Sequence, residues 1–152
     1  MNREEPPQLD QHLGYLLRRV SNRVSGQFAT SLAERGTTVS EWVCLVQINN
    51  NPQLMPRSLA ELIGMTQGAV SKICDKLLAR NWIKAVGNTV DRRGQFLSLT
   101  DEGSRVLPEL WQLAEANEQL HFAVLSSEDR ANLRRILIHL SQTHNWTDVP
   151  TK

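Results

Sequence analysis

The 152-residue sequence predicts a mainly α-helical fold carrying one small β-hairpin, and three observations predict it. Leu9, Leu13, Leu16, Leu17, Val20, Val24, Phe28 and Leu32 recur at three- and four-residue steps, the period of one helix face. Two short apolar runs, Ile83 to Val86 and Gln95 to Leu99, flank a glycine-bounded polar tip, which is the pattern of a hairpin. Between these regions two short helical patterns meet at Gly64-Met65, the arrangement of a helix-turn-helix.

Taken in order, the first element is one long amphipathic helix over 9–34, stopped near Gly36, with Arg18, Arg19 and Arg23 on its polar face. Ser40 is expected to cap a short helix through Trp42, Val43, Leu45, Val46 and Ile48, which ends in the turn Asn49-Asn50-Asn51-Pro52. Ser58 is expected to open the next, with Glu61 completing a capping box and Gly64 stopping it. Thr66 starts a helix that runs to about Arg80, and the hairpin follows directly. Thr100 then caps a long helix with Asp101 and Glu102 in its first turn, expected to bend at Pro108. A last helix, 126–141, opens at Ser126-Ser127-Glu128-Asp129.

This order makes a winged helix-turn-helix lobe, 36–100, on a helical dimerisation frame, 1–35 and 101–146, with 147–152 as a flexible tail. The helices at 9–34 and 126–141 carry more apolar surface than one small lobe can cover, which implies a partner copy.

Composition narrows the function classes. The chain is 40% hydrophobic and 22% charged, ordinary for a globular protein and unlike a disordered one. No apolar run is long enough for a membrane span, and MNREEPPQLD has no apolar signal core, so a cytoplasmic protein without membrane contact is expected. Cys44 and Cys74 form neither a disulfide framework nor a Cys-x-x-Cys pair; both sit among apolar residues and read as buried structural thiols. His12, His121, His139 and His144 are scattered, so neither metal nor any other cofactor is expected. No phosphate loop, nucleophile elbow or metalloprotease motif occurs, which argues against an enzyme.

The net charge of +1 hides a strong local asymmetry. Residues 66–93 hold Lys72, Lys76, Arg80, Lys84, Arg92 and Arg93 against only Asp75 and Asp91, a local +4, so the rest of the chain carries −3. On a helical wheel Val70, Ile73, Cys74 and Leu77 form an inward stripe, while Gly68, Ser71, Lys72, Asp75, Lys76 and Ala79 face outward. A small, polar, cationic face suits a DNA major groove, with Gln67, Ser71 and Lys72 able to reach base edges or phosphates. Arg92 and Arg93 on a thin ribbon suit a minor groove, and Asp91 is placed to orient one guanidinium. A solvated basic face and an ordinary surface hairpin explain the same residues without a ligand.

The string Asp91-Arg92-Arg93-Gly94-Gln95-Phe96-Leu97-Ser98-Leu99-Thr100 resembles the wing signature of the MarR regulators, an Asp-x-Arg followed by Leu-x-Leu-Thr. Leu59-Ala60-Glu61-Leu62-Ile63-Gly64, Ser71, Lys76-Leu77 and Asn81-Trp82-Ile83 resemble the same family's helix-turn-helix, and the resemblance covers nearly the whole chain. Asn81 stands where relatives usually have glycine, and asparagine tolerates the left-handed conformation needed there. The resemblance implies a homodimer on a palindromic double-stranded DNA operator, most often a repressor released by a small, aromatic or phenolic effector. It implies recognition by Thr66, Gln67, Gly68, Ser71 and Lys72 and a wing contact by Arg93, oriented by Asp91; Lys76 on the same helix, Arg92 on the wing and Ser58 at the DNA backbone complete the expected interface. Position alone suggests His12, Tyr15, Arg19, Trp42 and Trp111 for an effector crevice between frame and lobe. Two other readings stay open: a winged-helix adaptor for protein partners, and a small-molecule-binding protein or enzyme using that crevice.

Overall fold

The computed structural model describes residues 8–87 and 94–151. A single 3-10 turn, Leu9–Gln11, precedes α1 (Leu13–Ala33), α2 (Val39–Asn50), α3 (Pro56–Ile63) and α4 (Gln67–Ala79). The antiparallel pair β1 (Ile83–Gly87) and β2 (Gln95–Leu99) follows, then α5 (Asp101–Phe122) and α6 (Ser127–Thr143). Among the described residues no helix is long and apolar enough to cross a membrane.

Three helix starts differ from the sequence expectation, each for a local reason. The helix expected from Leu9 is interrupted because His12 takes an extended conformation, so α1 begins at Leu13. The cap of α2 is Thr38, not Ser40: the Glu41 N–H donates to Thr38 Oγ1 at 3.2 Å and the Thr38 N–H donates to Glu41 Oε2 at 3.1 Å. That reciprocal pair satisfies two orphan amides at once, which Ser40 cannot do. α3 starts at Pro56 rather than at Ser58, with no side-chain cap on Met55, because proline has no N–H to lose in a first turn. Glu61 pairs instead with Arg57, at 3.2 Å on the exposed face.

The core is built from the inward stripes of α2, α3 and α4, closed on one side by Ile83 and Leu97 of the hairpin and on another by Val106, Leu107 and Leu110 of α5. Ile83 lies opposite Leu99 and Ala85 opposite Leu97. The Leu97 N–H donates to the Leu54 carbonyl at 2.8 Å, tying the hairpin to the link between α2 and α3. Asn81 takes the left-handed conformation, φ +56°, that ends α4. The next joint is tight. The Thr100 N–H donates to the Trp82 carbonyl at 3.0 Å, and Thr100 Oγ1 donates to the Asn81 carbonyl at 2.5 Å while accepting from the Gly103 N–H. A Cβ on Gly103 would lie 1.9 Å from the Trp82 oxygen, so only glycine fits this approach of α5 to the hairpin root.

The frame helices look different. α1 buries only Leu32 and α6 buries nothing, leaving Leu13, Leu17, Val20, Ile136, Leu137 and Ile138 exposed. Beyond α6, Val149 packs against the core and Ser40 Oγ donates to the Thr151 carbonyl at 3.1 Å.

Candidate nucleic-acid interface

The element expected to read DNA is α4. Gly64 at φ +67° ends α3 and turns the chain, and Thr66 Oγ1 accepts the Ala69 N–H at 3.2 Å to start α4. Val70, Cys74 and Leu77 are buried and Ile73 half-buried, which fixes the rotation of the helix about its axis. That rotation presents Gln67, Gly68, Ser71, Lys72, Asp75 and Lys76 to the outside together. Nothing lies within 4 Å of where a Cβ on Gly68 would stand, so a flat partner can approach the backbone there. The first turn also offers the positive end of the helix dipole.

Thr66, Gln67, Gly68, Ser71 and Lys72 are thus brought onto one exposed surface. Ser58 is half-buried in the first turn of α3 and is not a cap. Lys76 is divided: its side chain is mostly exposed, yet Nζ lies 3.9 Å from Glu41 Oε1. Asp91, Arg92 and Arg93 lie outside the described residues; the strands lead to them from Gly87, opposite Gln95.

Sequence reasoning missed a second set of residues behind α4. Glu41 is 3% exposed, although a carboxylate is among the costliest groups to bury. Arg80, the residue that closes α4, places Nη1 3.7 Å from Glu41 Oε2 and 3.5 Å from Thr37 Oγ1. Its Nη2 donates to the Gly36 carbonyl, and the guanidinium lies 4.8 Å from the Trp82 ring centroid. Glu three residues after Thr38 was visible as a capping signal, but its distant partners were not.

The proposed crevice residues divide into two groups. Trp42 meets Trp111 edge-on at 5.2 Å and Phe28 at 5.0 Å, so α1, α2 and α5 converge on one aromatic cluster. Among the described residues the buried Trp42 Nε1 and Asn117 Oδ1 have no hydrogen-bond partner, while Asn117 Nδ2 donates to the Val24 carbonyl at 3.1 Å. Tyr15 and Arg19 instead contact each other, Nη2 to hydroxyl at 2.9 Å, and that hydrogen bond pushes the Arg19 pKa above its ordinary value. Tyr15 is separated from Phe28 by about 20 Å of helix rise, so one chain does not gather the five. His12 is exposed at the start of α1.

Burial pushes the Cys44 thiol up to about 12 and the Cys74 thiol up to about 11, so neither is an activated nucleophile. Among the described residues no group of three His, Cys, Asp or Glu side chains is placed to hold a metal ion.

A family model described as the MarR family matches residues 35–94. The chain is 26% identical over 126 residues to the HTH-type transcriptional repressor MdtR of Bacillus subtilis, covering 83% of this chain and 81% of that one. Its fold is similar to that of Bordetella bronchiseptica BpsR, whose DNA binding is regulated by 6-hydroxynicotinic acid, with TM-score 0.73, 23% identity and coverage of 90% and 98%. It is also similar to a mutant Escherichia coli MarR complexed with operator DNA, with TM-score 0.70, 22% identity and coverage of 84% and 92%.

Proposed function

We propose that the chain is a member of the MarR family of winged helix-turn-helix regulators, and that it is a cytoplasmic, homodimeric repressor of transcription. One observation carries the reading: the core-facing stripe of α4 leaves Gln67, Gly68, Ser71 and Lys72 together on a single exposed surface that carries a cation. In each protomer the first turn of α4 enters a major groove, Gln67 and Ser71 meet base edges, and Lys72 meets bases or phosphate. Ser58 contacts the backbone, and Asp91, Arg92 and Arg93 carry the wing into the adjacent minor groove. The exposed apolar faces of α1 and α6 pair with those of a second copy, so the operator is palindromic.

The effector is a small aromatic or phenolic acid held where α1, α2 and α5 meet. The buried Trp42 N–H, which has no partner among the described residues, and the rings of Phe28 and Trp111 packed against it support this chemistry, an apolar cluster with a buried donor.

Fluorescence anisotropy with duplexes selected from genomic DNA tests the reading. With roughly 6–10 phosphate contacts per dimer, affinity is expected to fall on the order of a thousandfold between 50 and 200 mM salt. Salt-insensitive binding would rule out this interface. Salicylate and related phenolic acids are then titrated into the complex, with an expected loss of affinity of about 5- to 150-fold.

A further inference from the structure

We infer that Glu41 and Arg80 are positioning residues for DNA reading: together they fix the last turn of α4 to the junction of α1 and α2. They thereby set the angle at which the first turn meets a groove. The inference rests on the DNA-binding reading above and adds a specificity device that touches no DNA.

The capping role of Glu41 does not explain its charge. A glutamine at the same place completes the same capping box, and it avoids the cost of burying an ionised group. The charge acquires a purpose through its partners. Lys76 Nζ at 3.9 Å and Arg80 Nη1 at 3.7 Å both come from the last turns of α4. Arg80 then extends the hold to the Gly36 carbonyl and Thr37 Oγ1 in one direction and to the Trp82 ring in the other. Its planar fork suits such a divided role, which a lysine point charge cannot fill. The apolar stripe of α4 resists rotation about the helix axis. It resists tilt less, because apolar contacts lack direction. The directional contacts lie at the far end.

Leverage makes that end decisive. From Arg80 to Gln67 the helix rises about 20 Å, so a tilt of about 3° about the last turn moves the first by about 1 Å. A base-edge contact needs placement to about 0.5 Å. Tilt therefore costs selectivity before it costs phosphate attraction, which falls off gradually with distance.

The test compares wild type, E41Q, R80Q, R80K and the E41Q/R80Q double variant on two duplexes, one enriched from a random pool by the wild type and one unselected. Thermal unfolding and light scattering are recorded for each protein, and E41Q retains the cap by design. In E41Q and in R80Q the ratio of the two affinities is expected to fall about tenfold, the discrimination of one base contact, with affinity for the unselected duplex within about threefold of wild type. The double variant is expected to be no less selective than the worse single one, because both substitutions release the same tether. R80K, which meets Glu41 but not Gly36 and Thr37 together, is expected to recover only part of the ratio; it stands in if R80Q does not fold. An unchanged ratio in folded E41Q and in R80Q or R80K overturns the inference, whatever happens to stability, since a merely structural role lowers both affinities alike. A wild type that enriches no duplex overturns the DNA reading, and this inference with it.

Discussion

The lobe and the frame of this protein solve the problem of apolar surface in opposite ways. In the lobe, α2, α3, α4 and the hairpin each turn a stripe inward, and Leu45, Leu59, Leu77 and Ile83 are almost completely shielded from water. In the frame, α6 has no buried residue and α1 only one, while Leu13 is 77% exposed. A helix draws most of its stability from packing of its apolar face, so a helix with an uncovered face is an unfinished one. The lobe is thus completed by its own chain, whereas the frame keeps an open face for the proposed second copy to cover.

The largest expected effect breaks the frame side of this contrast. Leu137→Glu puts a charge on the uncovered face of α6 and is expected to convert a dimer into a monomer by light scattering. DNA affinity then falls by at least about a hundredfold, because two half-sites no longer act together. A dimer that survives this change moves the interface elsewhere.

The lobe side is broken by Leu77→Ala, which empties a fully buried site on α4 and is expected to cost about 2–5 kcal/mol in chemical denaturation. A smaller effect comes from the two thiols. Both are neutral in the folded protein well above the ordinary value of 9.0, whereas the unfolded chain releases their protons there. The unfolded state then binds fewer protons, so stability is full below about pH 9 and declines as pH rises towards 11 and 12. By pH 10 each thiol is expected to contribute a loss of about 1 kcal/mol, which the Cys44→Ala and Cys74→Ala variants should remove from the pH profile. The smallest effect is Thr66→Ala, which removes the α4 cap and is expected to cost about 1 kcal/mol by the same denaturation measurement.

The same contrast separates what was legible in the sequence from what was not. Helix and strand identities, the Gly64 and Asn81 stops and the Thr66, Thr100 and Ser126 caps are local signals, read within a few residues. Two caps were misplaced where one local signal competed with another. Ser40 lost to Thr38, whose Glu41 stands three residues on, and Ser58 lost to Pro56, which starts a helix at no hydrogen-bond cost. The outward face of α4 was legible because its inward stripe is strictly periodic. The link from Glu41 to Arg80 was not, because it joins residues far apart in sequence that meet only after α4 packs on α2. His12, Tyr15 and Arg19 do not meet Trp42 and Trp111 within one chain, because sequence position along α1 does not show how far along the helix a side chain lies from α2 and α5.

The glycine at 103 has a mechanical consequence. With the Trp82 carbonyl against its α-carbon and Thr100 bonded across the junction, the root of the hairpin and the first turns of α5 cannot slide past each other. Val106, Leu107 and Leu110 extend the weld into the core. Lobe, wing root and the near half of α5 therefore swing as one rigid arm. In the proposed dimer, bending between the two arms is then expected beyond that weld, at the short link around residues 123–126, so that link, rather than the hairpin root, sets how far apart the two α4 helices can be drawn.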